Sequence, residues 1–189
     1  MPLPEWSDVR NSLTDAIRAA LPFQIKKANG ERIAGLGLHF NACYGSAGLY
    51  LLPESAARNL GKGRVDNIGD WPISTDWDLN DDHSVAFTSH WQPWDDWFRD
   101  HLDDLPEPEV AEMTLQLHVV FCEAMRQIEV DGLLDAMPKT DDFKIIIVEH
   151  DEPYDLAVER FDLFKRTNTL RIFGCTDDGT TFGVEEVSL

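Results

Sequence analysis

One long amphipathic segment constrains the fold of this chain more than any other feature. Across residues 107–129, apolar side chains recur every three or four positions and form a continuous stripe: Val110, Met113, Leu117, Val120, Phe121, Ala124 and Ile128. This spacing predicts a long helix with one buried face. Glu107, Glu109 and Glu112 near its start suit the positive end of the helix dipole.

A second amphipathic helix is predicted over residues 4–21, where Trp6, Val9, Leu13, Ala16, Ile17 and Ala20 share one face. Pro4 near the start and Pro22 just past the end are interpreted as its boundaries. Shorter helices are predicted over residues 54–60, 94–102 and 154–166. The Asp-rich stretch that ends near His83 has little periodicity and is interpreted as an ordered loop.

Alternating apolar residues predict the strands. Residues 34–40 and 48–52 form a hairpin around a turn at residues 41–46, and residues 169–173 and 181–187 form a second strand pair around a turn at residues 177–179. Residues 84–91 are predicted as a strand because Val85, Phe87 and Trp91 share one parity. The apolar run at residues 144–148 is hydrophobic on both faces, which predicts a central strand.

The order of these elements predicts the fold class. Helices and strands are mixed without a strict β-α-β rhythm, which favours an α+β fold. We expect a mostly antiparallel sheet, with the long amphipathic helix and the N-terminal helix packed on it. A chain of 189 residues without a linker or repeat predicts a single α+β domain over residues 1–189.

The charge of the chain excludes two classes of direct partner. A formal net charge of −19 argues against binding to nucleic acid or to an anionic membrane surface, because both require neutralising Lys and Arg side chains. The start of the chain has no signal-peptide pattern, and no apolar run is long enough to cross a bilayer. Three widely spaced cysteines without a C-x-x-C motif predict reduced thiols, so we expect a cytoplasmic protein.

The acidity is concentrated in one part of the sequence. Residues 66–112 carry 14 acidic side chains against a lone Arg99, and residues 70–104 hold five of the six tryptophans. Aromatic rings and carboxylates together suit a cation or a basic partner. The candidate binding residues are Trp91, Trp94, Asp95, Asp96 and Trp97. The alternative interpretation is that these tryptophans anchor a strand-to-helix junction in the core while the aspartates are solvated or cap helices.

No catalytic or metal motif is complete. Asp76, Asp78 and Asn80 match the opening of a calcium loop, but glycine and glutamate are absent from its sixth and twelfth positions, so no metal site is predicted. The histidines lack metal-ligand spacing, and no cofactor motif is present. The best place for acid–base chemistry is Glu149, His150, Asp151 and Glu152 at a strand end; the alternative is a polar connection with a helix cap.

The order of several features resembles a known family. The chain resembles a bacterial domain of unknown function, number 4303. The features that carry the resemblance are the Trp-containing N-terminal helix, the hairpin, the Trp91-x-Pro93-x-x-x-Trp97 junction, the long helix and the apolar strand followed by Asp151. The resemblance implies a bacterial, cytoplasmic α+β domain, and it carries no activity or catalytic residues to this chain. A looser similarity links the chain to small acidic immunity proteins of toxin systems.

These observations lead to one functional expectation and two alternatives. We expect a non-enzymatic acidic binding protein for a basic protein partner, similar to an immunity protein. The first alternative is a small-molecule hydrolase with a site assembled from Glu149, His150, Asp151 and residues on the hairpin. The second is an oligomerisation role for the tryptophans, although the sequence indicates no particular oligomeric state.

Overall fold

The structure is a computed structural model that describes residues 3–42, 44–60, 67–75, 81–150, 152–175 and 182–189. Its helices are α1 (Trp6–Lys27), α2 (Glu54–Leu60), α3 (Asp82–His101), α4 (Glu107–Val130) and α5 (Tyr154–Thr167). Its strands are β1 (Ile33–Phe40), β2 (Ala47–Pro53), β3 (Ile73–Ser74), β4 (Lys139–Glu149), β5 (Thr169–Cys175) and β6 (Phe182–Ser188). None of the helices in these ranges is long and apolar enough to cross a membrane.

The fold class is α+β, as predicted, and the four-stranded sheet is mixed. The strand order is β3-β2-β1-β4, in which β1 pairs antiparallel with β2, β2 antiparallel with β3, and β1 parallel with β4. Strands β5 and β6 form a separate antiparallel pair. Antiparallel pairings therefore predominate, and β1 with β4 is the one parallel pairing among the described strands.

Strand β4 lies at an edge of the four-stranded sheet, so the prediction of a central strand is wrong. Its apolar composition has another cause, because both of its faces are covered. Ile147 belongs to the main core, which β1, β2 and the long helices share. Ile146 and Val148 point to the opposite face and pack in a second cluster with Trp71 and Ala157. Coverage on both sides, and not a central position, explains the hydrophobic run.

Helix α1 continues past Pro22, which was predicted to end it. Buried Leu21 and Gln24 extend its inner face by another turn. The Gln24 side-chain amide donates to the backbone oxygen of Leu49 at 2.8 Å and thereby ties the helix to β2. Proline removes one backbone donor from a helix, and here the packing of the following turn outweighs that loss.

Residues 84–91 form the first half of α3, so the strand predicted there is wrong. The buried residues of α3 are His83, Ser84, Phe87, Trp91 and Phe98, which follow helical steps of three, four and seven. Val85, which shares the predicted strand parity, is 53% exposed. Helix α3 packs along α1, and α4 covers the same core from another side, so the predicted long helix and N-terminal helix are both confirmed.

The hairpin turn before β2 contacts α3 at one glycine. Gly45 has φ +68, and a Cβ atom placed there would lie 2.3 Å from the Cβ of Phe98. The backbone oxygen of Gly45 accepts a hydrogen bond from the indole N–H of Trp91 at 2.9 Å. Both the left-handed backbone and the close approach require glycine at this position. The contact fixes the hairpin turn against the second half of α3.

Candidate functional site

Trp91 is a core residue and not a surface anchor. Its side chain is 3% exposed, its N–H is bonded to Gly45, and its ring meets Phe121 edge-on at 5.7 Å between centroids. The core interpretation of this tryptophan therefore matches its position. Trp91 still contributes to one groove, because an edge of its side chain lines the cavity described below.

Trp94 and Trp97 lie between core and surface. Both are partly buried and pack against the main core from the outer side of α3. The Trp97 ring stacks on His101 at 4.9 Å between centroids and meets Phe98 edge-on at 5.2 Å. Their remaining exposed area lies on the same half of the helix as several carboxylates, so these two tryptophans meet the geometric requirement for a contact surface.

Asp95 and Asp96 share a small polar network on α3. The Gln92 amide donates to Asp95 at 3.2 Å and to Asp96 at 2.9 Å, and Arg99 pairs with Asp96 and lies 3.5 Å from Asp95. Burial raises the pKa of Asp95, against the opposing effect of the Arg99 guanidinium. Arg99 is therefore shared between two carboxylates and neutralises only one charge.

Six further carboxylates follow this network along the chain. We call these six residues, which run from the end of α3 into the start of α4, the α3–α4 acidic surface. They are Asp100, Asp103, Asp104, Glu107, Glu109 and Glu112. In the ranges that the structure describes, none of the six has a Lys or Arg nitrogen within 4 Å. Five of them are exposed, and Glu109 is half-buried. The result is a run of unpaired negative charge where the end of α3 leads into the start of α4.

An exposed aromatic residue adjoins this part of α3. Tyr44 in the hairpin turn is 66% exposed. Its neighbour Gly45 is held directly against Phe98 and Trp91, which places Tyr44 beside the second half of α3. Tyr44 is not among the binding residues predicted from the sequence. Its position next to the acidic helix follows from the contact between the hairpin turn and α3, which the sequence pattern does not reveal.

A groove of about 340 Å³ lies between the hairpin and α3. Its lining includes the predicted residues Trp91 and Asp95, together with His39, Thr75, Thr88 and Gln92. The groove thus joins a partly buried carboxylate to hydroxyl, amide and imidazole groups over an apolar floor. Sites for polar ligands commonly have this composition.

The ends of the two parallel strands bring a pair of histidines together. His39 near the end of β1 and His150 just after β4 approach to 3.2 Å between Nε2 and Nδ1. His150 belongs to the predicted acid–base group, and His39 lies on the hairpin, whose residues were expected to contribute to that site although none of them was named. Side chains alternate between the two faces of a strand, so the two rings meet only because β1 and β4 are parallel neighbours in this register. No pattern within either strand indicates that pairing.

Glu149 and Glu152, the two described acidic members of the predicted acid–base group, take part in structural hydrogen bonds. Glu149 accepts from the backbone N–H of Ala42 at 3.3 Å. Glu152 is buried, accepts from the backbone N–H of Glu149 at 2.7 Å and forms a two-oxygen ion pair with Arg160. Asp151 lies outside the described residues, as do Asp76 to Asn80 of the partial calcium loop. Within the described ranges, no three His, Cys, Asp or Glu side chains gather as a metal site.

The fold and the site define an α+β protein with an acidic, partly aromatic surface on its third and fourth helices. Comparisons with models of protein families, with curated proteins and with solved structures gave no match for this chain. The resemblance to the domain of unknown function, number 4303, therefore stays a prediction, as does the bacterial origin that it implies.

Proposed function

We propose that this protein is a non-enzymatic binding protein whose α3–α4 acidic surface engages a basic segment of a partner protein. The observation that carries the proposal is the run of six carboxylates without a positive partner in the described ranges. Like charges held close together repel one another, and a bound Lys or Arg side chain relieves that repulsion. A partner with complementary charge gains both affinity and association rate.

Aromatic residues beside the carboxylates support a protein partner. Trp94 and Trp97 lie on α3, and Tyr44 lies in the turn that contacts this helix, so three large and rigid side chains accompany the helix that leads into the acidic surface. Tyrosine, tryptophan and arginine are the residues that most often dominate the binding energy of protein interfaces, and arginine also stacks on aromatic rings. An arginine-bearing partner fits this combination better than a small cation, which would use the carboxylates alone.

The charge of the whole chain favours an immunity-like role. A protein that acts on nucleic acid needs a basic surface, and an acidic protein can cover that surface. The net charge of −19 steers such a partner toward this chain over distances of about one Debye length. We therefore propose a basic toxin-like protein as the partner class.

Capture from the native host tests the proposal. Three proteins are immobilised at low salt: wild type, the triple variant Asp103→Asn, Asp104→Asn, Glu107→Gln, and the control Asp141→Asn, Asp142→Asn. The control removes charge elsewhere, because its two residues are exposed carboxylates on β4. We expect wild type and control to retain the same basic protein, with salt-sensitive binding. We expect the triple variant to bind on the order of tenfold more weakly, at roughly 0.5 kcal/mol per exposed pair.

A second variant separates aromatic contact from charge. Tyr44→Ser leaves the net charge unchanged and should still weaken the captured complex, because it removes an exposed ring from the proposed contact surface. Recovery of no basic protein at low salt, or equal retention by the triple variant, would contradict the proposal.

A small-molecule hydrolase remains the second candidate, on one observation. His39 of the hairpin contacts His150, which joins the hairpin to the predicted acid–base group. Paired imidazoles can transfer protons at a strand end. A panel of ester, amide and phosphoester substrates tests this candidate. Turnover that disappears in His150→Ala would support it, and absence of turnover across the panel would exclude hydrolysis of these bond classes.

A further inference from the structure

The His39–His150 pair is built from neighbouring strands and is held on both sides. In the parallel register His39 lies opposite Val148, so His150, two residues further along, projects from the same face. The backbone N–H of His150 donates to the oxygen of Phe40 at 2.8 Å and continues the strand pairing past the end of β4. The backbone of the two ring-bearing residues is therefore fixed by the sheet.

Neighbouring side chains restrict the His39 ring further. Tyr50, which is 4% exposed, meets it edge-on at 6.2 Å between centroids. The His39 and His150 rings are inclined at 71°, with centroids 5.3 Å apart. His39 is half-buried and His150 is exposed, so a dissolved ion can reach the two nitrogens that face each other.

The separation of these nitrogens is that of two ligands on one ion. Zinc binds imidazole nitrogen at about 2.0–2.1 Å, and two such bonds at an angle of about 100° place the nitrogens roughly 3.2 Å apart. His39 Nε2 and His150 Nδ1 stand at 3.2 Å. Imidazole is the side chain that most often binds zinc, copper and nickel ions. The two nitrogens share one hydrogen-bonding proton in this structure, so metal binding requires the donor ring to carry that proton on its other nitrogen, which leaves a lone pair on each of the facing nitrogens.

We propose that His39 and His150 form a two-histidine site for a divalent transition ion of the zinc, nickel and copper class. His39 Nε2 and His150 Nδ1 are the two ligands, and within the described ranges no third His, Cys, Asp or Glu side chain joins them. The acidic chain raises the local concentration of cations around the site. This site is separate from the α3–α4 acidic surface and goes beyond the proposed protein binding.

Copper and nickel titrations test the site in the intact protein. Electron paramagnetic resonance of one equivalent of Cu²⁺ should show two nitrogen ligands, and Ni²⁺ should broaden backbone NMR signals around Phe40 and Val148. His150→Ala and His39→Gln should each lower the affinity for Ni²⁺ by tenfold or more, because one ligand is lost. His90→Ala, an exposed histidine on α3, is the matched control and should bind as wild type does.

The pH dependence supplies an independent readout. An imidazole binds a metal only in its neutral form, so Ni²⁺ binding should weaken as the pH is lowered from 7.5 to 5. Circular dichroism confirms that each variant is folded. The proposal is wrong if wild type shows no two-nitrogen Cu²⁺ signal, or if both histidine variants retain wild-type affinity for Ni²⁺.

Discussion

Arg160 carries a guanidinium into the interior, where its side chain is 0% exposed. It donates to the backbone oxygen of Ile147 at 2.8 Å and to that of Arg171 at 3.1 and 3.0 Å, and it pairs with both oxygens of Glu152. All five guanidinium N–H groups therefore have acceptors. The residue links the edge strand β4 to β5, and its burial is stable only with this full set of partners.

Removal of the Glu152 charge should destabilise the protein strongly. Glu152→Gln leaves the Arg160 charge buried without a counter-ion, and we expect a loss of about 3–5 kcal/mol in the free energy of unfolding. Urea unfolding at pH 7 measures it. Arg58→Gln is the control, because the Arg58 side chain that pairs with Glu54 is 71% exposed, and solvent screening leaves such a pair little effect on stability. Similar small losses in both variants would contradict the assignment.

His118 should make the stability depend on pH. Burial lowers the pKa of His118 to about 3, with a further contribution from the charge of Arg160. The same imidazole titrates near 6.5 in the unfolded chain, so between these values only the unfolded chain binds the proton. The free energy of unfolding should therefore fall as the pH decreases below about 6.5, by up to about 1.4 kcal/mol per pH unit from this residue.

His118→Met removes that proton and isolates the effect. We expect the stability difference between wild type and His118→Met to shift in favour of the variant between pH 6 and pH 5, as measured by urea unfolding at each pH. His90→Ala, at an exposed position, should show no such shift relative to wild type. A difference that stays constant across this range would show that His118 is protonated in the folded state.

At the scale of elements, strong local periodicity predicted the structure well. Helix α4 and the β1–β2 hairpin have one buried face and regular spacing, and the structure confirms both. Residues 84–91 were mistaken for a strand because Phe87 and Trp91 fit a period of two as well as one of four. Pro93, which belongs to the predicted strand-to-helix junction, lies inside α3. Packing of α3 against α1 makes this segment helical, and such a tertiary contact cannot be recognised from a local sequence pattern.

The candidate site was predictable only in part. The sequence indicated the acidic, aromatic segment, because composition is visible without a fold. It left open whether Trp91 lies in the core or on the surface, because spacing alone does not say which face of a helix is covered. The His39–His150 contact depends on the parallel pairing of two distant strands, which no pattern within either strand encodes.

Gly45 and Gly30 allow a prediction about the hairpin turn. Both have positive φ, but a Cβ atom at Gly45 would collide with Phe98, whereas one at Gly30 meets nothing within 4 Å. Alanine at Gly30 should cost about 1 kcal/mol of stability from backbone strain alone. Gly45→Ala should cost about 1–3 kcal/mol more, because the turn must move away from α3. Equal losses in thermal unfolding would show that the turn is not packed against the helix.

At the scale of the whole molecule, repulsion among the acidic side chains should limit stability at low salt. With a net charge of −19, added sodium chloride should raise the melting temperature by screening that repulsion. The triple variant Asp103→Asn, Asp104→Asn, Glu107→Gln should have a higher melting temperature than wild type at low salt. Its melting temperature should also rise less as salt is added. Calorimetry from 10 to 500 mM salt measures both effects; a melting temperature independent of salt would contradict this account.

The parallel pairing of β1 with β4 also sets an order of events during synthesis. Leu38 pairs with Leu49 in the hairpin but also with Ile147, more than a hundred residues later. The hairpin can form as soon as its two strands have left the ribosome, whereas the other edge of β1 stays unpaired until almost all of the described chain has been made. An open apolar strand edge is a site of aggregation. The nascent chain is therefore most vulnerable in the interval before β4 emerges.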